Sequence, residues 1–240
     1  MRNEIFVNVG PRETRVAVRE SDKIVELHIE RSNDRGVSGG IYKGRVTRVL
    51  PGMQAAFVDI GLERAGFLYV GDYRAELDDS DLDDENGGGR SRRRSGPPPQ
   101  IEDVLQEGNE VVVQVSKEPL GTKGARITSR ISIPGRHLVL MPWVSRVGVS
   151  RRIEGDRERR RLRAIVEKYR PGELGFIVRT VSHGVSEADI KADIDYLTNL
   201  WTEIQKRKEA IREVPALIHS EPPLHLRVLR DMASHETKMI

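Results

Sequence analysis

Two phenylalanines in the stretch IYKGRVTRVLPGMQAAFVDIGLERAGFLYV, residues 41 to 70, stand where they could do chemistry. Side chains on a strand alternate between its two faces. In AAFVDIG, Val58 and Ile60 share one face, while Ala55, Phe57 and Asp59 share the other. In GFLYV, Leu68 and Val70 lie opposite Phe67 and Tyr69. If the aliphatic faces pack inward, Phe57 and Phe67 point outward beside Lys43, Arg45 and Arg48. Rings on which bases stack and cations that meet phosphates suit single-stranded RNA. The same alternation also allows both rings to be core residues of a small barrel, and the residues alone leave the two readings about even.

The elements that must position these residues are short strands. Residues 4 to 30 predict a three-strand antiparallel meander (EIFVNVG, ETRVAVRE, KIVELHIER), punctuated by Gly10-Pro11 and Ser21-Asp22. After the glycine-bearing linker at 32 to 40, strands are predicted at 41–50, 53–60, 64–70, 109–118 and 125–133. Five short strands with a long third connection fit a closed barrel of the OB type. That connection, 76 to 99, has no apolar periodicity and reads as a disordered loop. Its aspartates lack the EF-hand spacing, and its RSRRR tract at 90–94 suits non-specific RNA contact.

A strand is predicted in GRHLVLMP, a helix over DRERRRLRAIVEKYR, and a strand at 174–180. The longest helix follows, with Ser186 and Asp189 as its capping residues. Ile190, Ile194, Leu197, Trp201, Ile204 and Ile211 form its buried stripe, so Trp201 reads as core. Asp193 and Asp195 on that helix read as surface charges. The tail predicts a short strand, a helix from Pro222 or Pro223, and in ETKMI a strand start with nothing to pair with, as in a truncated chain.

Composition bounds the partners. The chain has 240 residues, of which 32% are charged, and a formal net charge of +3. Acids cluster at 76–85 and bases at 90–94 and 151–163, so local patches inform more than the total. With no cysteine, disulfides and thiolate metal sites are excluded and an intracellular protein is expected. No apolar run reaches the roughly 18 residues of a membrane helix. His28, His137, His183, His219, His225 and His235 form no metal-spaced cluster.

The segments IYKGRVTRVLPGMQAAFVDIGLERAGFL, GTKGA, LVLMP, SRRIEGD and LGFIVRT, in this order and spacing, closely resemble the ribonuclease E/G family of bacterial and plastid endoribonucleases. The resemblance implies an α+β multidomain chain. An RNase H-like domain (1–36) is interrupted by an OB-fold RNA-binding domain (37–130) and an α/β 5′-sensor domain (131–213), then resumes, truncated, at 214–240. It assigns RNA binding to Phe57, Phe67, Lys43, Lys117 and Lys123, and binding of a 5′-monophosphate to Arg179 and Thr180, with Gly135 and Val139 against the terminal base. A guanidinium grips two phosphate oxygens and a hydroxyl adds a donor. Without the resemblance Arg179 reads as a surface ion-pair residue.

The family cuts RNA with a magnesium ion held by two aspartates in a later domain, and assembles through a zinc-linked CPxC motif. Neither is matched here, so the resemblance implies a cytoplasmic, bacterial RNA-binding portion that holds no cofactor itself and is inactive alone. Magnesium, zinc and homo-oligomers are expected of a complete enzyme only. The competing expectation is a stand-alone RNA-binding adaptor without catalysis.

Overall fold

β-Branched residues with period-two apolar positions give way to 3.6-period stripes three times along the chain, and the structure follows these switches. This computed structural model describes residues 3–32, 36–73, 99–233 and 237–239. Contacts divide the chain into two compact units, one of residues 1–37 and 221–240, the other of 38–220. The first opens with the predicted meander: β1 (Asn3–Val9), β2 (Glu13–Glu20) and β3 (Lys23–Arg31), paired antiparallel in that order.

The second unit begins with β4 (Ile41–Leu50), β5 (Ala55–Asp59) and β6 (Gly66–Tyr69). A short helix, α1 (Ile101–Val104), precedes β7 (Glu110–Lys117) and β8 (Arg126–Thr128). β4 pairs with both β5 and β7, and β6 runs parallel to β8, so five strands close into a barrel. The arrangement is consistent with an OB-fold. Val46, Ala56, Val58, Ile60, Leu68, Val113, Val115 and Ile127 are all buried. Gly44 permits one close approach: a Cβ there would lie 2.7 Å from the Asp59 carbonyl and 2.8 Å from Val58 Cγ1.

Two strands differ from the sequence expectation at points that shape the barrel. The strand expected over 53–60 begins only at Ala55, because residues 51–53 form a 3₁₀ turn closed by Gln54 in the left-handed region (φ 50°). Its side chain donates to the Pro51 carbonyl (2.7 Å) and accepts the Ile101 N–H (3.0 Å). The strand expected over 125–133 is broken after Thr128. Gln114 accepts the Ser132 N–H (2.8 Å) and donates to the Ser132 and Gly39 carbonyls, which turns the chain before β9 (Ile133–Pro134).

β10 (Leu138–Met141), β11 (Val147–Val149) and β12 (Gly175–Val178) complete a sheet of order β11-β12-β10-β9. α2 (Asp156–Tyr169) and α3 (Glu187–Ala210) pack on it. The Val-Gly-Val of β11 was not expected as a strand; three residues centred on glycine carry no alternation. Ser186 caps α3 by accepting the Asp189 N–H (3.2 Å). Trp201 and Ile211 pack against the buried stripe of Ile190, Ile194, Leu197 and Ile204.

β13 (Ala216–His219) adds to the barrel sheet antiparallel to β4, with His219 opposite Ile41. The chain then returns to the first unit as α4 (Leu224–Met232), whose Leu224 and Val228 cover Ile5, Val16 and Val18. The final described residues do find a partner, against expectation. Met239 bridges parallel to Glu4, the Ile5 N–H donates to the Met239 carbonyl (3.0 Å), and the Lys238 N–H donates to the Asn3 carbonyl (2.9 Å). Of the expected loop, residues 76–98 lie outside the described part.

Candidate nucleic-acid interface

The register of the barrel brings five side chains into one lateral row. Arg48 on β4 faces Phe57 on β5, Phe57 faces Phe67 on β6, Phe67 faces Arg126 on β8, and Arg126 faces Lys117 on β7. Five strand positions at about 4.8 Å spacing span roughly 19 Å of surface. The two rings meet edge to face, centroids 6.0 Å apart at 69°. They are half-buried, while their neighbours Val58 and Leu68 are fully enclosed. The rings therefore belong to the outer face and not to the barrel core.

Bulges place both flanking cations. The register shifts between Val46 and Arg48, and again between Val115 and Lys117, so Arg48 and Lys117 each come opposite a residue of the outer face. Both are exposed. Arg126 is aimed by Asp72, which accepts from its Nη2 (2.8 Å) and Nε (3.2 Å). Arg126 was missing from the sequence reading. It sits in a three-residue strand, and only the parallel β6–β8 pairing shows it to be the neighbour of Phe67.

The structure treats the predicted lysines differently. Lys117 lies in the row. Lys123 is exposed in a turn joined to β6, where the Phe67 N–H donates to the Ala125 carbonyl (2.8 Å). The turn passes so close to β6 that any Cβ at Gly124 would overlap the Ala65 carbonyl oxygen. Lys43 lies outside the row. Its ammonium is paired with Glu110 (3.1 Å) and donates to the Ile211 carbonyl (3.3 Å). Glu110 also takes Arg45 (3.0 Å), and the hydrogen bond from Lys43 holds the Glu110 carboxyl below its ordinary value.

The second group of predicted residues converges at the ends of β10 and β12. Arg179 follows β12; its Nη1 donates to the Gly135 carbonyl (2.6 Å) and its N–H to the His137 carbonyl (2.8 Å). Val139 on β10 pairs with Ile177 on β12 and with Pro134 on β9. Thr180 is exposed, and its hydroxyl lies 2.9 Å from that of Ser150, at the end of β11. Arg159 of α2 pins the Ser150 segment, with Nη1 donating to the carbonyls of Ser150 (2.8 Å) and Ile153 (3.4 Å). Arg151 and Arg152 follow Ser150 directly and are exposed. The site thus combines a guanidinium, two hydroxyls and flanking arginines, a donor set suited to a phosphate.

Asp193 corrects a sequence expectation. It is not a surface charge but a 9% exposed carboxylate accepting the N–H groups of Arg136 (3.2 Å), His137 (2.9 Å) and Leu138 (2.9 Å). Asp195, two residues on and so on the opposite face of the helix, is exposed and paired with Lys191 (2.5 Å). His137 beside Asp193 is buried, and loss of water lowers its pKa despite the nearby carboxylate.

Among the described residues no three His, Asp or Glu side chains gather as a metal site, and no helix is long and apolar enough to cross a membrane. His235 lies outside the described residues.

Fold and site place the chain among proteins built on an OB-like barrel with an appended α/β module. Sequence comparison narrows that class. Residues 132–240 match the model of the Ribonuclease E/G family. The chain is 48% identical over 228 residues to Ribonuclease G of Haemophilus influenzae, covering 95% of this chain and 45% of that protein. It is 45% identical to Ribonuclease G of Escherichia coli over 240 residues, covering 100% of this chain and 47% of the relative. To Ribonuclease E of Haemophilus influenzae it is 40% identical over 232 residues, 96% of this chain and 24% of that protein. The chain belongs to the ribonuclease E/G family, and it spans about half the length of these ribonuclease G relatives.

Proposed function

We propose that this chain is the RNA-capturing and 5′-end-sensing portion of a ribonuclease E/G endoribonuclease that cleaves single-stranded RNA in RNA decay and ribosomal RNA processing. The observation that carries the reading is the row Arg48–Phe57–Phe67–Arg126–Lys117. Rings at its centre stack bases, and cations at its ends neutralise phosphates on either side. Lys123 adds a further cation beside β6. Lys43 contributes after leaving Glu110, or acts by holding the strand.

Arg179 and Thr180 grip a 5′-monophosphate, and Gly135 and Val139 form the wall against which the terminal base packs. Anchoring one end raises the effective concentration of the rest of the strand along the barrel. The cutting step belongs to the magnesium ion expected of the family enzyme. No cluster among the described residues fits that ion, so no step of the chemistry is assigned to this chain, nor any zinc-linked assembly into homo-oligomers. In this reading the protein works in the bacterial cytoplasm, with its unit of residues 1–37 and 221–240 as the RNase H-like part.

The test is a titration with a short single-stranded RNA carrying a 5′-monophosphate or a 5′-hydroxyl, in magnesium, followed for binding and cleavage. Tighter binding of the monophosphate without cleavage is the expected result. Equal affinity for the two ends removes the sensing role. Magnesium-dependent cleavage that disappears on heat unfolding would mean that carboxylates of this chain build an active site.

A further inference from the structure

A carboxylate far from water is costly unless its lone pairs are engaged. Asp193 meets that condition through three consecutive backbone N–H groups, those of Arg136, His137 and Leu138. Its oxygens also occupy the space that a side chain at position 135 would need, 2.6 and 2.7 Å from where a Cβ on Gly135 would stand. Asp193 therefore holds the 135–138 turn from the α3 side, and only glycine fits at position 135 against its carboxylate.

The other side of the turn faces the sensing residues. The Gly135 carbonyl accepts Arg179 Nη1 (2.6 Å). The His137 carbonyl accepts both the Arg179 N–H (2.8 Å) and the Ser182 hydroxyl (2.8 Å). These three contacts between the turn and the 179–182 segment run through the Gly135 and His137 carbonyls, in the turn that the Asp193 carboxylate holds.

We propose that Asp193 is a positioning residue for 5′-phosphate recognition: through the 135–138 turn it orients the Gly135 carbonyl that holds the Arg179 guanidinium. The inference rests on the phosphate-binding role given to Arg179 above. Asp193 does not touch the phosphate. Its own lone pairs are taken by N–H groups, so it acts by geometry rather than by charge on the ligand.

Asp193→Asn tests this on the whole chain. The amide keeps one acceptor oxygen but turns an NH₂ donor toward backbone donors, so the turn must move. The readout is the ratio of Kd for a 5′-hydroxyl RNA to Kd for its 5′-monophosphate twin. The Kd of the 5′-hydroxyl form alone reports the barrel row. The expected result is a ratio in Asp193→Asn reduced to that of Arg179→Ala, with hydroxyl-RNA affinity within about twofold of wild type. The double variant falls no lower than Arg179→Ala alone. The side-chain NMR signal of Arg179 shifts in the ligand-free Asp193→Asn protein. Asp195→Asn, in the exposed ion pair, keeps the wild-type ratio.

A folded Asp193→Asn that keeps the wild-type ratio while Arg179→Ala loses it overturns the inference and leaves the pocket standing. A change of equal size in Asp195→Asn overturns it too, as an effect of net charge. Should Asp193→Asn fail to fold, Gly135→Ala decides by the same ratio, since it displaces the same turn with the carboxylate intact; a retained ratio there overturns the inference. No end preference in the wild type removes the pocket reading, and this inference with it.

Discussion

Replacing Phe57 by alanine separates a stacking platform from a packing residue. A base stacked on an aromatic side chain is worth about 1–3 kcal/mol, which converts to a rise in Kd of about 5- to 160-fold. The structure limits the other costs. Phe57 is half-buried and its edge contact with Phe67 contributes about 0.5–1.5 kcal/mol. The loss of folding stability should stay below the roughly 3–5 kcal/mol of a fully enclosed phenylalanine. Because the rings touch, removing one also frees the other, so Phe57→Ala and Phe67→Ala should combine to less than the sum of their effects. The assay is fluorescence anisotropy with a 5′-hydroxyl single-stranded RNA at fixed salt, which leaves the proposed phosphate pocket out of the comparison. A folded Phe57→Ala protein that binds within about twofold of wild type would refute the platform and return the ring to a packing role.

Arg48→Ala and Lys117→Ala should each lower the slope of log K against log salt by about 0.7, the release expected for one single-strand phosphate contact; unchanged slopes would remove that residue from the path. Ser186→Ala should cost about 1 kcal/mol of stability through loss of the α3 cap, read by urea unfolding, and a change near zero would show that the cap adds nothing there. The Glu158 carboxyl accepts from Arg161 (2.7 and 2.8 Å) and from the Gly184 N–H (2.9 Å), which hold its pKa at about 2 against an ordinary 4.5. A depressed carboxylate stabilises the fold above its unfolded value and loses that contribution as pH falls through its folded one. The stability gap between wild type and Glu158→Gln should therefore close as pH drops from about 4.5 toward 2, and a gap independent of pH would sink the assignment.

Much of the scaffold is legible in the sequence because its elements are locally determined. The stripes at Leu162, Ile165 and Val166 and at Ile190, Ile194 and Leu197 mark α2 and α3, and the alternation around Phe57 and Phe67 marks which ring faces turn outward. What joins elements is less legible. The row depends on two bulges and one parallel pairing, none of which has a local sequence signal, so Arg126 was missed and the pairing of Lys43 with Glu110 was not foreseen. Asp193 was misread because a carboxylate is normally assigned to water. Its spacing held the clue: 190, 193 and 197 lie on one face of a helix, so the acid stands within the apolar stripe and must find donors there. β11 escaped because Val-Gly-Val borrows its strand conformation from β12.

The pairing of β13 with β4 has a consequence for the order in which the chain folds. His219 is the cross-strand partner of Ile41, so the folded 38–220 unit brings its own two ends together. Closing a loop of that length from an unfolded chain costs about 4–5 kcal/mol of entropy. Once the inserted unit has formed, that cost has already been met, and the meander and α4 see each other as if joined by a short connection. The unit that contains the N-terminal strands is then the last to be completed, waiting on residues from 221 onward, and during synthesis β1 to β3 remain exposed until the insertion is in place.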